Sequence, residues 1–178
     1  YGTVAIAALG IANRIYQFCG MPSNGLSMGS GILVGQRLGA KQFKEAHDVT
    51  LLSSVNGLIF SLPFILLLLL APNQLLSLFL GGSSVSSEAA SLLRIYGLCL
   101  IFMSISGGLG SAFFGSGHTR PILYTSLISG WLVQLPYALL VVLVLKLPLP
   151  WLWAAYLAGD FLECLLRYRY FLLGGWEQ

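Results

Sequence analysis

The stretch Gly31–Asp48, GILVGQRLGAKQFKEAHD, is the place where a strongly apolar chain becomes polar. Charged side chains gather within it, at Arg37, Lys41, Lys44, Glu45 and Asp48. The segment that follows, residues 49–87, contains no charged residue. Apolar segments on both sides of such a cluster are typical of membrane-spanning helices joined by a connection outside the bilayer. The stretch therefore predicts a chain that crosses a membrane more than once.

The composition of the whole chain indicates the same fold class. Of the 178 residues, 57% are hydrophobic and 8% are charged, and the mean hydropathy is +0.84. Soluble domains carry about 25% charged residues, so this chain has too little polar surface to cover a water-soluble globule. Basic residues that flank membrane spans explain the net charge of +3, and no nucleic-acid partner is expected. We predict an all-α polytopic membrane protein whose partners include membrane lipids.

Five transmembrane helices account for the apolar segments. Their predicted spans are about residues 3–36, 49–70, 88–115, 121–145 and 151–172. Pro22, Pro63 and Pro136 lie inside three of these spans, and Pro22 is expected to kink its helix. The segments GGSSVSSE at 81–88 and GSGHTRP at 115–121 are small and polar and predict turns. Strands are not expected, because the apolar runs exceed the about 9–11 residues of a membrane strand and do not alternate.

The cysteines and histidines give no sign of a disulfide or a metal site. Cys19, Cys99 and Cys164 all lie inside apolar segments, and an odd number in such places indicates small core residues. His47 and His118 lie in predicted loops and lack the spacing of metal ligands. We therefore expect no metal, no cofactor and no catalytic residue.

The basic residues predict the orientation of the chain in the membrane. With five spans, the connections after the first and third helices lie on the same side as the C-terminus. That side carries six of the nine basic residues: Arg37, Lys41, Lys44, Arg120, Arg167 and Arg169. The other side carries Arg14, Arg94 and Lys146. The richer side, with the C-terminus, is predicted to be cytoplasmic.

Four ordered motifs resemble those of one transporter family. GILVGQRLGAKQFKEA resembles a VGQ-x-LGA motif at the cytoplasmic end of a second helix, and NRIYQFCGMPSNGLSMGSG is similar to the Gly and Pro pattern before it. GSGHTRPILYTSLISGWLVQLPYALL resembles a G-x-G-x-T-x-P turn followed by a Pro-containing helix, and WLWAAYLAGDFLECLLRYRYFLLGGW resembles a last helix with a basic tail. Together they resemble the multidrug and toxic compound extrusion (MATE) family over nearly the whole chain.

This resemblance implies an architecture and an activity. A complete member has two six-helix halves around a central cavity, and it exports drugs or toxic organic cations in exchange for Na⁺ or H⁺. The Trp-rich last helix is more similar to the C-terminal half, so we expect residues 1–178 to be family helices eight to twelve. The first helix of that half and the whole N-terminal half would precede Tyr1. The plasma membrane is the expected location. One branch of the family carries an acidic ion-binding residue in helix ten, but LIFMSISGGLGSAFFG contains none, so the coupling ion stays open.

A polar stripe along the first helix is the first candidate for a substrate cavity. Its members recur every three or four residues, which places them on one helical face: Asn13, Gln17, Gly20, Asn24, Ser27 and Gly31. Amides at membrane depth need a partner helix or a wet cavity. The polar stripe is therefore either a cavity wall, with Asn13, Gln17, Asn24 and Ser27 as substrate contacts, or a surface that joins two helices.

Two other helices carry similar patterns. In the fourth helix, Trp131 and Gln134 offer an aromatic ring and an amide to a flat organic cation, and ordinary packing is the alternative. In the third helix one face is small, with Ser104, Gly108, Ser111 and Gly115. Close helix packing is the simplest interpretation of that face.

Asp160 is the candidate for ion coupling. It lies toward the bilayer centre from Arg167, and no basic residue is within one helical turn of it. An acidic residue at such a depth is a functional hypothesis by default, although a base on another helix is the alternative. Glu163 precedes Arg167 by four residues and is expected to pair with it at the inner surface.

Two other classes of protein fit the sequence less well. A membrane enzyme would need a nucleophile or base beside Asp160 and Glu163, and the sequence offers none. A lipid or oligosaccharide flippase of the related superfamily would share the architecture. Such a flippase is expected to carry more basic residues inside its cavity, and none is predicted there in this chain.

The orientation is tested by labelling from each side of intact cells. We expect Gln42 and Gln178 to be cytoplasmic and Ser84 to be external, because basic residues concentrate on the first side. Cysteine replacements at these positions should therefore react from opposite sides with a membrane-impermeant thiol reagent. Labelling of Ser84→Cys only from the cytoplasm would reverse the scheme.

Overall fold

The computed structural model describes residues 2–80, 87–146 and 148–177, and all of their regular structure is helical. The described residues form six helices: α1 (Gly2–Gly39), α2 (Phe43–Leu70), α3 (Pro72–Leu80), α4 (Ser87–Gly115), α5 (Arg120–Leu145) and α6 (Leu149–Leu172). The all-α prediction is confirmed. Three of the helices, α2, α4 and α5, are long and apolar enough to cross a membrane.

The predicted number of helices, five, is wrong because α3 is separate from α2. Helix α2 ends at Leu70, just before the segment APNQ. Pro72 then starts α3, since proline is tolerated in the first turn of a helix. The predicted turn at 81–88 lies mostly outside the described residues, as do Ser84 and Gln178.

The polar connection in the opening stretch is shorter than predicted. Helix α2 begins at Phe43, ahead of the span predicted from 49, so the charged segment is mainly its first turns. Lys41 turns the chain with a φ of 59°. Arg37 then reaches across the turn, with Nη1 3.0 Å from Gln42 Oε1 and 2.9 Å from Glu45 Oε2. The prediction began the helix at the apolar residues that enter the bilayer, whereas the helix itself begins earlier, in the polar sequence before them.

The three internal prolines remain inside helical segments. Pro22 lies within α1 and Pro63 within α2. Pro136 lies in a short α-helical part of α5 between two π-helical stretches, Ile128–Gln134 and Leu140–Leu145. Because proline removes a backbone donor, the wider π turns are a common way to accommodate the irregularity.

Helix α4 is the centre of the bundle, with α1, α2 and α6 packed around it and α5 packed mainly on α6. Small residues allow the close approach. A Cβ added at Gly108 would collide with the backbone of Ser54 on α2, and one added at Gly115 would collide with α1. The close-packing interpretation of the small face of α4 is therefore confirmed for these two positions.

Hydroxyl groups join the same helices between two apolar clusters. Ser104 Oγ donates to Ser61 Oγ at 2.9 Å, and Ser54 Oγ donates to the carbonyl of Ile105 at 3.3 Å. One apolar cluster lies around Tyr96 and Trp153, and the other lies around Phe113 and Trp176, near the ends of α4 and α6. The middle of the bundle is thus joined by small polar residues instead of large apolar ones.

Replacing Gly108 by Ala should lower the free energy of unfolding by about 1–3 kcal/mol, the usual cost of overpacking a tight contact. The matched control is Gly107→Ala, because a Cβ at Gly107 would meet only Ser27 at an ordinary 3.9 Å. Thermal unfolding of the two variants in one detergent makes the comparison. Equal melting temperatures would contradict the close α2–α4 contact.

Candidate functional site

A cavity of about 230 Å³ lies between α1, α4 and α6. Its lining is mostly polar or charged: Asn24, Met103, Ser106, Gly107, Asp160, Glu163 and Arg167. Two residues predicted from sequence, Asn24 and Asp160, are therefore brought together from helices far apart in the chain. Helix α6 supplies the charges because Asp160, Glu163 and Arg167 are spaced by three and four residues and share one face.

Arg167 connects three helices at one side of the cavity. It forms the predicted ion pair with Glu163, which is confirmed. Its Nη1 donates to the carbonyl of Ser106 on α4 at 3.2 Å, and longer contacts reach Thr125 and Ser126 on α5 at 3.5 and 3.4 Å. Ser126 Oγ in turn donates to Glu163 Oε1 at 3.0 Å. The ion pair is mostly buried, with 13% of the Arg167 side chain and 22% of the Glu163 side chain exposed.

Asp160 finds its neighbours on other helices. The hydroxyl of Tyr16 on α1 lies 3.5 Å from Asp160 Oδ2, and the thiol of Cys99 on α4 lies beside the same carboxylate. Tyr16 stacks on Tyr96, with ring centroids 4.5 Å apart. In the described part of the chain Asp160 forms no ion pair. The groups beside its carboxylate on α1 and α4 are neutral donors, while Glu163 and Arg167 share the cavity with it.

The polar stripe of α1 divides into two groups. Four members hold α1 against α4. Asn13 accepts a hydrogen bond from the Tyr96 hydroxyl at 2.5 Å, Ser27 donates to the carbonyl of Gly107 at 2.5 Å, and Gly20 and Gly31 lie in close contact with α4. Asn24, in contrast, lines the cavity, and Gln17 is exposed. Four members thus join α1 to α4, whereas Asn24 lies in a cavity wall, and its contact with substrate stays a prediction.

The candidates on the fourth predicted span lie elsewhere. The Trp131 side chain is 66% exposed, and Gln134 packs against Gly159 on α6. Neither residue lines the cavity between α1, α4 and α6.

The sequence interpretation missed two charged residues of the cavity. Glu163 and Arg167 were expected only as an ion pair at the inner surface, yet both line the cavity with Asp160. The expectation that no basic residue lies inside the cavity is wrong for Arg167. Its long side chain extends to the backbone of α4 at Ser106, well before the end of that helix. The common face of the three charges on α6 is the signal that could have identified them.

The cavity carries more negative than positive charge. Two carboxylates face one guanidinium, and the guanidinium is occupied by Glu163 and by a backbone carbonyl. Charges in a partly dry site act on one another more strongly than in water. This arrangement favours a cation beside Asp160, while Asn24 and Ser106 offer hydrogen bonds that orient it.

Comparison with known proteins agrees with the motifs. The family model described as MatE matches residues 1–140. The chain belongs to the MATE family. This confirms the resemblance in the sequence, and with the three apolar helices it shows that the chain is an integral membrane protein.

Several MATE relatives match over most of the chain. The probable multidrug resistance protein NorM of Thermotoga maritima is 26% identical over 177 residues, which is 99% of this chain and 38% of that protein. NorM of Mannheimia succiniciproducens is 31% identical over 76% of this chain and 29% of its own length. The multidrug and toxin extrusion protein 1 of Pongo abelii is 23% identical over 86% of this chain and 27% of its length. The chain spans about a third of these relatives, and no solved structure matches it significantly.

Variants of two asparagines test the division of the polar stripe into residues that hold α1 against α4 and residues that line the cavity. We expect Asn13→Leu to lower the melting temperature, because it removes the acceptor of the Tyr96 hydroxyl. Such a bond between membrane helices is worth about 0.6 kcal/mol on average and up to about 1.7. Asn24→Leu should leave the melting temperature nearly unchanged, because Asn24 lines an open cavity. The opposite order of stabilities would refute this division.

Proposed function

We propose that the chain is part of a secondary active antiporter that exports drugs or toxic organic cations in exchange for Na⁺ or H⁺. Membership of the MATE family supports this activity, as do the names of its relatives, multidrug resistance protein and multidrug and toxin extrusion protein. The observation that carries it is the cavity in which Asp160, Glu163 and Arg167 meet Asn24. It is polar, charged and formed by three helices, and charged residues inside membrane spans are typical of substrate and ion pathways.

In this proposal Asp160 is the residue at which cations compete. Its carboxylate has neutral neighbours from α1 and α4 and no ion-pair partner among the described residues. A carboxylate in that setting can be neutralised by an organic cation, by Na⁺ or by a proton, but by one of them at a time. Exchange follows from that competition: arrival of the coupling ion removes the charge that holds the substrate.

Asn24 would orient the bound substrate. Its amide faces the same cavity from α1, across from the charges of α6. An uncharged amide accepts and donates hydrogen bonds, so it accommodates cations of different shape. Such a contact suits a transporter that accepts several substrates.

We also propose that this chain is most of the C-terminal half of the transporter and that an N-terminal half of the same protein completes the central cavity. The Trp-rich last helix supports the C-terminal placement. The share of NorM of Thermotoga maritima that the chain covers, 38%, supports a longer transporter. A plasma-membrane location with the C-terminus in the cytoplasm belongs to the same proposal.

A flippase for lipids or oligosaccharides is the second candidate function. Arg167 is the observation that favours it, since a basic residue in the cavity could hold a lipid phosphate. Glu163 and the Ser106 carbonyl already occupy that guanidinium, however. The net negative cavity therefore fits a cation better than an anionic lipid.

The test of the export activity is Asp160→Asn in the full-length protein. We expect export of an organic cation to fall about tenfold or more, because a contact between unit charges about 4 Å apart near a protein surface is worth about 4 kcal/mol. The dependence of the remaining export on pH should also change, measured between roughly pH 6 and 8. Asp48→Asn is the matched control, because Asp48 is exposed at the start of α2, away from the cavity. If Asp160→Asn exported the cation at the wild-type rate and with the wild-type pH dependence, Asp160 would have only a structural role.

A further inference from the structure

A second cavity, of about 320 Å³, opens at the end of the bundle where α4 ends, α5 begins and α6 ends. It shares no lining residue with the cavity around Asp160. Its walls are formed by the turn between α4 and α5 and by the tail after α6. The transport proposal leaves this site without a role.

Two glycine turns shape the opening of this second cavity. Gly117, with a φ of +73°, reverses the chain after α4, and Gly174, with a φ of +67°, reverses it after α6. Both are left-handed conformations that glycine adopts without strain. The second turn folds the tail back so that Trp176 is buried against Phe171, with ring centroids 5.3 Å apart, and its Nε1 donates to the Phe171 carbonyl at 3.1 Å. The tail is therefore a fixed wall of the site.

The polar groups of this cavity favour an anion. His118 and Arg120 line it, and no acidic side chain does so within the described residues. In the described part of the chain neither forms an ion pair, so the Arg120 guanidinium is available to a ligand. Tyr124 and Tyr170 add hydroxyl groups, which donate hydrogen bonds to phosphate oxygens. The acidic residue nearest in sequence, Glu177, does not line the cavity.

The surroundings of the cavity point to a lipid. Leu173 lines the cavity and is 76% exposed. On α5, Leu123 and Leu127 lie within one turn of the lining residue Tyr124 and are 57% and 44% exposed. Tyrosine and tryptophan at the end of apolar helices are typical of the interface between headgroups and acyl chains. This end of the bundle also carries the basic residues predicted to face the cytoplasm, where anionic lipids concentrate.

We propose that this cavity binds the phosphate headgroup of an anionic phospholipid. Arg120 forms the main charge contact, the hydroxyl groups of Tyr124 and Tyr170 bind the remaining phosphate oxygens, and the acyl chains lie along the exposed leucines of α5. The bound lipid connects the start of α5 to the end of α6. It therefore stabilises the protein without taking part in transport.

The experiment titrates the purified full-length transporter in neutral detergent with short-chain phosphatidylglycerol and, separately, with phosphatidylcholine. Phosphatidylglycerol should raise the melting temperature and remain bound in native mass spectra, whereas phosphatidylcholine should do neither. Arg120→Gln should weaken the apparent affinity about fivefold, since a basic residue at the surface contributes about 1 kcal/mol to binding an anionic lipid. Lys44→Gln is the matched control, because Lys44 is an exposed basic residue at the same end of the bundle that does not line the cavity.

Three outcomes would overturn the proposal. Both lipids carry a phosphate, but only phosphatidylglycerol has a net negative charge. Equal binding of the two would therefore show that the site does not recognise an anionic headgroup. If Lys44→Gln weakened phosphatidylglycerol binding as much as Arg120→Gln does, the lipid would be attracted to the basic surface in general and not bound in this cavity. Displacement of the lipid by inorganic phosphate at the same concentration would identify a site for soluble anions. If Arg120→Gln itself lowers the melting temperature without lipid, the Tyr124→Phe variant decides, because it removes only a hydroxyl group and should still weaken phosphatidylglycerol binding.

Discussion

The close approach of α4 to α1 and α2 is the constraint on which the rest of the bundle depends. At Gly108 and Gly115 no side chain separates the helices, so backbone meets backbone. In a membrane the lipid is as apolar as leucine, and helices are held together by such tight packing and by hydrogen bonds between them. The hydrogen bonds between helices are formed by Ser27, Ser54 and Ser104. The position of α4 in turn fixes one wall of the cavity.

Two of the three charged residues of α6, Glu163 and Arg167, neutralise each other inside the bundle. Arg167 would be costly to bury alone, but Glu163 and the Ser106 carbonyl compensate its charge and its donors. Asp160 lacks such an ion-pair partner among the described residues, and the groups beside it on α1 and α4, Tyr16 and Cys99, are neutral. The cluster thus contains one neutralised pair and one carboxylate that can respond to a cation. On this basis we assign the pair a structural role and propose the functional role for Asp160, on the same helix face.

Much of the fold follows from the sequence, because long apolar segments separated by polar turns leave few alternatives. The start of α2 was missed because the helix extends past the apolar segment into charged sequence. Within the cavity, Asn24 and Asp160 are predicted from the sequence. The sequence does not show that Asn24 lines the cavity while Asn13 packs against another helix, since both lie on one helical face. Only the position of Tyr96 on α4 assigns Asn13 to helix packing. Arg167 was placed at the surface because sequence gives the depth of a Cα atom and not the reach of a long side chain.

The order of the contacts along the chain has a consequence for biosynthesis. The three helices joined by glycine and serine contacts, α1, α2 and α4, are complete once Gly115 has been synthesised. Chains fold from the N-terminus as they emerge from the ribosome, so this trio can associate while the remaining helices are still being made. The carboxylates of α6 enter the bilayer after these three helices, beside a surface that already presents Tyr16, Cys99 and the Ser106 carbonyl. The nascent protein therefore does not have to expose these charges to lipid before their partners are in place.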